Sequence, residues 1–316
     1  MERYAVSVGA GRRTGAGSSA IVLALAFTSG CAPGTPTTRD DILTDGAITV
    51  ASFDFDESVI VAEIYAQALE AAGFRIERAL DVGPRELVEP SLQRGLVEFV
   101  PEYLGTALLF LGADEVPADP EAARVALAAE LASRDVVALE AAPAQDANGV
   151  AVTREVAKRF GLRTISDLAL VADDLVFGGP PECPDRPLCL QGLEETYGLE
   201  FEAFVALDAS GPVTVAALEG GEVDVALLFT TSGYLAGGTF VLLEDDLGLQ
   251  PPENVVPVVR SEVIAEHGAA FAAVVAEVSR ALTTEELASL NRSVSIVGRG
   301  HRLVARDWLA TNGIGG

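Results

Sequence analysis

Several residue types are scarce in this sequence, and each shortage closes off a class of function. Its 316 residues include two histidines, one methionine, one tryptophan and three cysteines. His267 and His301 both fall in a C-terminal stretch that reads as helical, away from the strand ends where active sites gather. No nucleophile elbow, phosphate-binding glycine loop or metal-spaced cluster appears, so the sequence reads as a non-enzyme without metal or cofactor. Positive charge is scarce too: 21 Lys and Arg, with Lys158 the only lysine, against 47 Asp and Glu, for a net charge of −26. Such a surface repels nucleic acid and anionic membranes, which argues against DNA or RNA as a partner. Long apolar runs are also missing. The run at 21–27 is too short to span a bilayer as a permanent helix.

That short run has a telling context. Arg12 and Arg13 precede it and Thr28-Ser29-Gly30-Cys31 follows, which fits the apolar region of a secretory signal. The small residues before Cys31 resemble a bacterial lipobox, although Thr28 stands where that motif prefers leucine. Residues 1–30 are therefore expected to be a lipoprotein signal peptide and Cys31 the lipidated residue, with plain secretion as the alternative. Residues 31–45, rich in Pro, Thr and Gly, read as a flexible tether. The other two cysteines, Cys183 and Cys189, stand in ECPDRPLC. In a secreted chain this pair reads as a local disulfide; zinc is the alternative, but no further ligand lies nearby.

What the chain does contain is regular alternation. Strands are expected near 48–52, 74–79, 97–101, 136–139, 149–152, 175–178, 204–207 and 223–229, with helices between most of them. From residue 261 on, the pattern turns helical. Strand–helix alternation of this kind indicates an α/β fold with mostly parallel sheets. One phrase occurs twice: LQRGLVEFVPEYLGTALL at 92–109 and LEGGEVDVALLFTTSGYL at 218–235. In each, a helix ends at glycine, a strand follows, and an aromatic with hydroxyls arrives at the strand's C-terminal end. That end is where open α/β sheets bind ligands. Two copies imply two lobes on one plan, facing across a cleft, although strand–helix units share such patterns in general.

The phrases ITVASFDFDESVIVAEIYAQALEAAGF, VEFVPEYLGTAL, ALEGGEVDVALLFTTSGYL, LLEDDLGLQPPENVVPVV and LTTEELASLN occur in this order. Together they resemble the substrate-binding proteins of ABC importers for glycine betaine, choline and related osmoprotectants, over residues 48 to about 314. The resemblance implies a two-lobed periplasmic-binding-protein fold of type II, crossed twice by the chain near 146–149 and 243–249. Lobe I would comprise 46–147 and 247–316, and lobe II 148–246. It further implies a monomer that is exported and held to the membrane only by its lipid. Such a protein closes on a small quaternary-ammonium ligand and presents it to an ABC permease. The loop PPECPDRPLC resembles a secreted subgroup with a disulfide beside the cleft.

In this family, tyrosines cage the quaternary ammonium, whose positive charge is held by aromatic faces. By position, Tyr103 matches one cage tyrosine and Phe229 stands where another sits. Asn148 replaces a third aromatic, Glu253 replaces the tyrosine of the commoner PPYN, and Phe53 replaces a polar residue. A rearranged cage of Phe53, Tyr103 and Phe229 is expected, and the ligand could be a different small polar or aromatic molecule. Thr106, Thr230, Thr231 and Ser232 are expected to line the polar part of the site or to cap helices. Arg186 is the candidate for a ligand carboxylate, or else a solvated loop residue. Asp54 either caps the following helix or pairs with a cation. Tyr65 and Trp308 read as core residues, and Tyr197 as packing locally. A ligand-sensing adaptor module is the remaining alternative to transport.

Overall fold

A computed structural model describes residues 46–315. The expected signal segment, Cys31 and the tether lie outside the described residues. In chain order the strands are β1 (Ile48–Ala51), β2 (Ile76–Ala79), β3 (Phe99–Tyr103), β4 (Val136–Ala138) and β5 (Asn148–Thr153). They continue with β6 (Val176–Gly179), β7 (Ala203–Ala206), β8 (Val225–Phe229), β9 (Phe240–Leu242) and β10 (Val255–Arg260). They form two five-stranded sheets, β2-β1-β3-β10-β4 and β7-β6-β8-β5-β9, with helices packed on them. This is a two-lobed, type II α/β architecture.

The repeated phrase now has a structural meaning. Its two strands, β3 and β8, hold the same third place in their sheets, and their last residues are Tyr103 and Phe229. Sequence reasoning missed the three-residue β9 and also β10, whose Pro257 removes a ladder donor from a central strand. Pro257 lies opposite Pro101 of β3 but turns its backbone polar groups to the β4 side, where its carbonyl accepts the Leu139 N–H at 2.9 Å. The expectation of mostly parallel sheets needs correction. β10 runs antiparallel to β3 and β4, and β5 runs antiparallel to β8 and β9. Both are the strands that the chain enters after passing from one sheet to the other, so they arrive reversed.

The connecting segments, residues 139–147 and 243–254, lie side by side. Gln145 bridges Asn254, and the Asp146 N–H donates to the Glu253 carbonyl at 3.0 Å. They form a short two-stranded connection between the sheets.

Helix α1 (Asp56–Ala71) is apolar nearly all round, and twelve of its 16 residues are buried. A helix of that kind must be covered on every side. The sheet of β1 covers one side, and the helices α8 (Ser261–Ala281), α9 (Thr284–Ser295) and α10 (His301–Asn312) cover the rest. Tyr65 on α1 is fully buried and shares a 2.8 Å hydrogen bond with Ser279, while Trp308 donates to Glu286 at 2.6 Å. Both are core residues. Tyr197 reaches further than its sequence neighbours: its hydroxyl bonds Asp245 and accepts from the Leu247 N–H, tying α6 (Leu190–Tyr197) to the second connecting segment.

Candidate functional site

The two sheets meet across a cleft, and aromatic rings occupy its centre. Phe55 is the residue before α1, in extended backbone (φ −141°, ψ 151°). Its ring centroid lies 6.0 Å from Tyr103, 5.0 Å from Phe229 and 6.0 Å from Phe53. Phe55 and Tyr103 come from the β1–β3 sheet side and Phe229 from β8, so the cluster spans both lobes. Phe53 is buried beneath Phe55, with the Arg85 guanidinium 4.9 Å from its ring centroid, and lines a smaller adjoining cavity with Phe55, Arg85 and Phe229. The rings that line the larger cavity are Phe55, Tyr103 and Phe229. Phe55 was missed in the sequence, although the alternation in Phe53-Asp54-Phe55 puts both rings on one side of an extended chain.

Phe55, Tyr103 and Phe229 wall a cavity of about 330 Å³ that is also lined by Arg85, Thr106, Asp146, Asn148 and Arg186. Each of these is held in place. Arg85, on helix α2 (Arg85–Gln93), makes a bidentate pair with Glu102 at 2.8–2.9 Å, and both are buried. Burial alone would lower the Arg85 pKa, yet the charge of Glu102 beside it leaves that pKa raised and the guanidinium cationic. Asn148 lies opposite Phe229 in the β5–β8 ladder and donates to the Leu188 carbonyl at 2.9 Å. Thr106, on α3 (Leu104–Phe110), donates to Glu253 at 2.5 Å. Arg186 crosses the mouth of the cleft to Glu86 at 2.8 Å and also pairs with Glu182. Its loop is closed by a disulfide between Cys183 and Cys189.

Beneath the rings lies a buried polar network that joins the lobes. Tyr103 donates its hydroxyl to Glu57 at 2.8 Å, and Glu57 also accepts from the Thr231 hydroxyl and from the Asn291 amide. Asp146 accepts from the Thr231 N–H at 2.9 Å and from the Thr230 hydroxyl at 3.1 Å. Burial pushes the Glu57 and Asp146 carboxyls up, and the proximity of Glu57 pushes Asp146 further. Two carboxyls in such surroundings resist ionising together. Tyr103 is held neutral by the same burial and the same carboxylates. Thr230 and Thr231 thus serve this network and do not line the aromatic cavity.

Phe55 and Phe229 also form the near wall of a second cavity of about 330 Å³. Ser232 lies there, as do Asp54, Asp56, Asp81 and Asp208. Asp54 is exposed, and α1 begins without a side-chain cap, so capping is not its role. Asp56 pairs with His301 at 2.7 Å, and Asp208 caps helix α7 (Pro212–Gly220) through the Val213 and Thr214 N–H groups. This chamber is acidic and would repel a carboxylate. The aromatic cavity combines rings with mixed charge. Arg85 and Arg186 are each paired with a carboxylate, and the carboxyls of Glu86, Asp146 and Asp185 also line it. Such a lining suits a cation.

Comparison with known proteins agrees with this geometry. Residues 46–311 match the family described as the substrate binding domain of ABC-type glycine betaine transport systems. The chain belongs to this family. It is a substrate-binding protein of the ABC-type glycine betaine transport family. It is 27% identical to a glycine-betaine-binding protein of Pseudomonas aeruginosa, over 81% of this chain and 84% of that one. It is 24% identical to an ergothioneine transport permease/ergothioneine binding protein of Helicobacter pylori, over 84% of this chain. There it spans only 48% of the relative's length. A crystal structure of a glycine betaine/carnitine/choline ABC transporter superposes with a TM-score of 0.67 at 23% identity. That match covers 85% of this chain and all of the other, and it shows the fold. Among the described residues no helix is long and apolar enough to cross a membrane.

Proposed function

We propose that this protein captures a quaternary-ammonium solute of the betaine or choline type in the aromatic cavity and delivers it to an ABC permease. One observation carries the reading: Phe55 and Tyr103 from one lobe and Phe229 from the other converge on a single cavity. A quaternary ammonium has no hydrogen to donate, so aromatic faces hold it, each worth about 0.5–2 kcal/mol once water is excluded. A cage made from both lobes is complete only when they close, so the ligand favours the closed form. The protein acts in this reading as an extracytoplasmic monomer that binds and does not catalyse. Export by residues 1–30 and a lipid on Cys31 would keep it beside the permease, with residues 31–45 as the tether.

A larger betaine is a second reading, and the cavity's size favours it. About 330 Å³ falls within the roughly 300–1,000 Å³ range of pockets for drug-sized ligands, which leaves room beyond a compact solute such as glycine betaine. Ergothioneine, a betaine with an imidazole-derived ring and the solute in the Helicobacter relative's name, is the natural comparison. Calorimetry with glycine betaine, choline, carnitine, proline betaine and ergothioneine tests both. Heat from the first four supports the leading reading, and heat from ergothioneine alone supports the second. Silence from all five, with no thermal shift, would end the quaternary-ammonium assignment.

A further inference from the structure

Glu253 stands on the second connecting segment, where the family resemblance leads one to expect tyrosine, and it is only 2% exposed. Its Oε1 accepts the Thr106 hydroxyl at 2.5 Å, and its Oε2 is buried with no hydrogen-bond partner. Thr106 in turn lines the aromatic cavity, so a buried carboxyl sits one hydrogen bond behind the ligand. The contact is tightly built. The N–H groups of Leu104 and Gly105 donate to the Asn254 and Pro252 carbonyls at 3.1 Å. A side chain at Gly105 would meet Pro251 Cγ at 2.4 Å and Glu253 Oε1 at 3.0 Å. The segment around Glu253 is pressed onto the backbone of α3.

We propose that Glu253 is a positioning residue for the ligand, its protonation state deciding whether Thr106 offers a hydrogen or only lone pairs to the cavity. When Glu253 is ionised, Thr106's one hydroxyl hydrogen is committed to Oε1, and the cavity meets an acceptor. When Oε1 carries a proton, the carboxyl donates to Thr106 Oγ1 and the hydroxyl hydrogen is released to turn toward a ligand oxygen. The proton belongs on Oε1 because there it finds an acceptor, whereas on Oε2 it would be buried without one. Burial lifts this carboxyl to about 7, so both states are populated near neutrality. The charges facing it are Arg85 from α2, which opposes the rise, and Glu102 from β3, which adds to it. Asp146 on the other connecting segment touches it through the backbone, its own carboxyl being occupied by Thr230 and Thr231.

The consequence is a choice between ligand chemistries, and it rests on the reading that the solute occupies this cavity. A betaine carboxylate needs a donor and avoids a second negative charge, so acid pH favours it. Choline has a hydroxyl that can donate and a net positive charge, so alkaline pH favours it.

Two measurements on the full chain decide the matter. Infrared difference spectra of the ligand-free protein, taken at about pH 5.5 and about pH 8.5 on either side of the carboxyl's range, should show a protonated-carboxyl band lost on alkalinisation. That band should be missing in Glu253→Gln and moved in Thr106→Val. Calorimetry with glycine betaine and with choline at the same two pH values should show the betaine-to-choline affinity ratio falling about tenfold or more toward alkaline pH. The pH dependence should vanish in Glu253→Gln and Thr106→Val but survive in Thr106→Ser, which keeps the hydroxyl. An unchanged ratio in wild type, or the same pH dependence in Glu253→Gln, overturns the proposal. If neither solute binds, the ligand class is wrong, and the infrared arm still decides: a band unmoved by Thr106→Val overturns the coupling, and a shifted band upholds it.

Discussion

Phe55 shows how much one backbone position can carry. Residues 53 and 55 both put phenyl rings on the same side of the chain, but Phe53 is buried against Arg85 and faces only a small side cavity, while Phe55 stands between Tyr103 and Phe229. Its removal should take away one aromatic face and leave the core intact. Phe55→Ala is expected to weaken binding roughly 2- to 30-fold, with little change in melting temperature. Phe53→Ala should do the reverse, lowering stability first. Titration of both variants beside thermal melts separates the two roles. Glu253 gives a second residue-scale prediction, in stability. Its folded value of about 7 lies above the ordinary 4.5, so its contribution is complete below the unfolded value and is lost as pH rises through about 7. Glu253→Gln removes that loss. The variant should match wild type near pH 4 and exceed it near pH 8.5 by up to about 3 kcal/mol, as read from denaturant unfolding at both values. Equal pH slopes for the two proteins would contradict this.

At the scale of elements, the disulfide loop and the connecting segments matter most. The Cys183–Cys189 bridge closes a short loop that holds Arg186 over the cleft toward Glu86. Replacing both cysteines with serine is expected to cost roughly 2 kcal/mol of stability, because a short loop has little entropy to restrict. The Arg186–Glu86 pair is partly exposed, so it is worth no more than about 1 kcal/mol. Arg186→Ala should therefore speed ligand release by about fivefold or less, with the difference fading as salt rises. Stopped-flow release at low and high salt checks it. The alternation of strands and helices was legible in the sequence, and α1 and α6 fall between expected strands. β10 was not, since its central proline argues against a strand.

For the whole molecule, contacts between the lobes hold the arrangement seen here, and in the proposed reading they would hold the closed form. Thr231 from the β8 side reaches Glu57 on α1 and Asn291 on α9. Gly233 lies against α9 so closely that an added Cβ would fall 2.7 Å from the Arg292 Cα and 2.4 Å from the Ser295 hydroxyl. A backbone cannot yield as a side chain can. Gly233→Ala should therefore bias the protein open, giving a larger radius of gyration by small-angle scattering and weaker ligand binding, with the circular dichroism of wild type. An unchanged scattering profile with intact affinity would show that closure tolerates the methyl group.

The sequence by itself determined the class of the molecule: local periodicity sets strands and helices, and the duplicated phrase places an aromatic at the end of the central strand in each sheet. It also pointed to the Cys183–Cys189 pair and to Tyr103 and Phe229, because strand-end position is a local property. What only the tertiary structure decided is which neighbours those groups meet. Phe55 rather than Phe53 completes the ring cluster, Thr231 serves the lobe contact rather than the cavity, and Glu253 lies behind Thr106. These facts depend on contacts between segments far apart in the chain, such as Glu57 with Asn291, and one-dimensional spacing carries no record of depth or of what lies across a cleft.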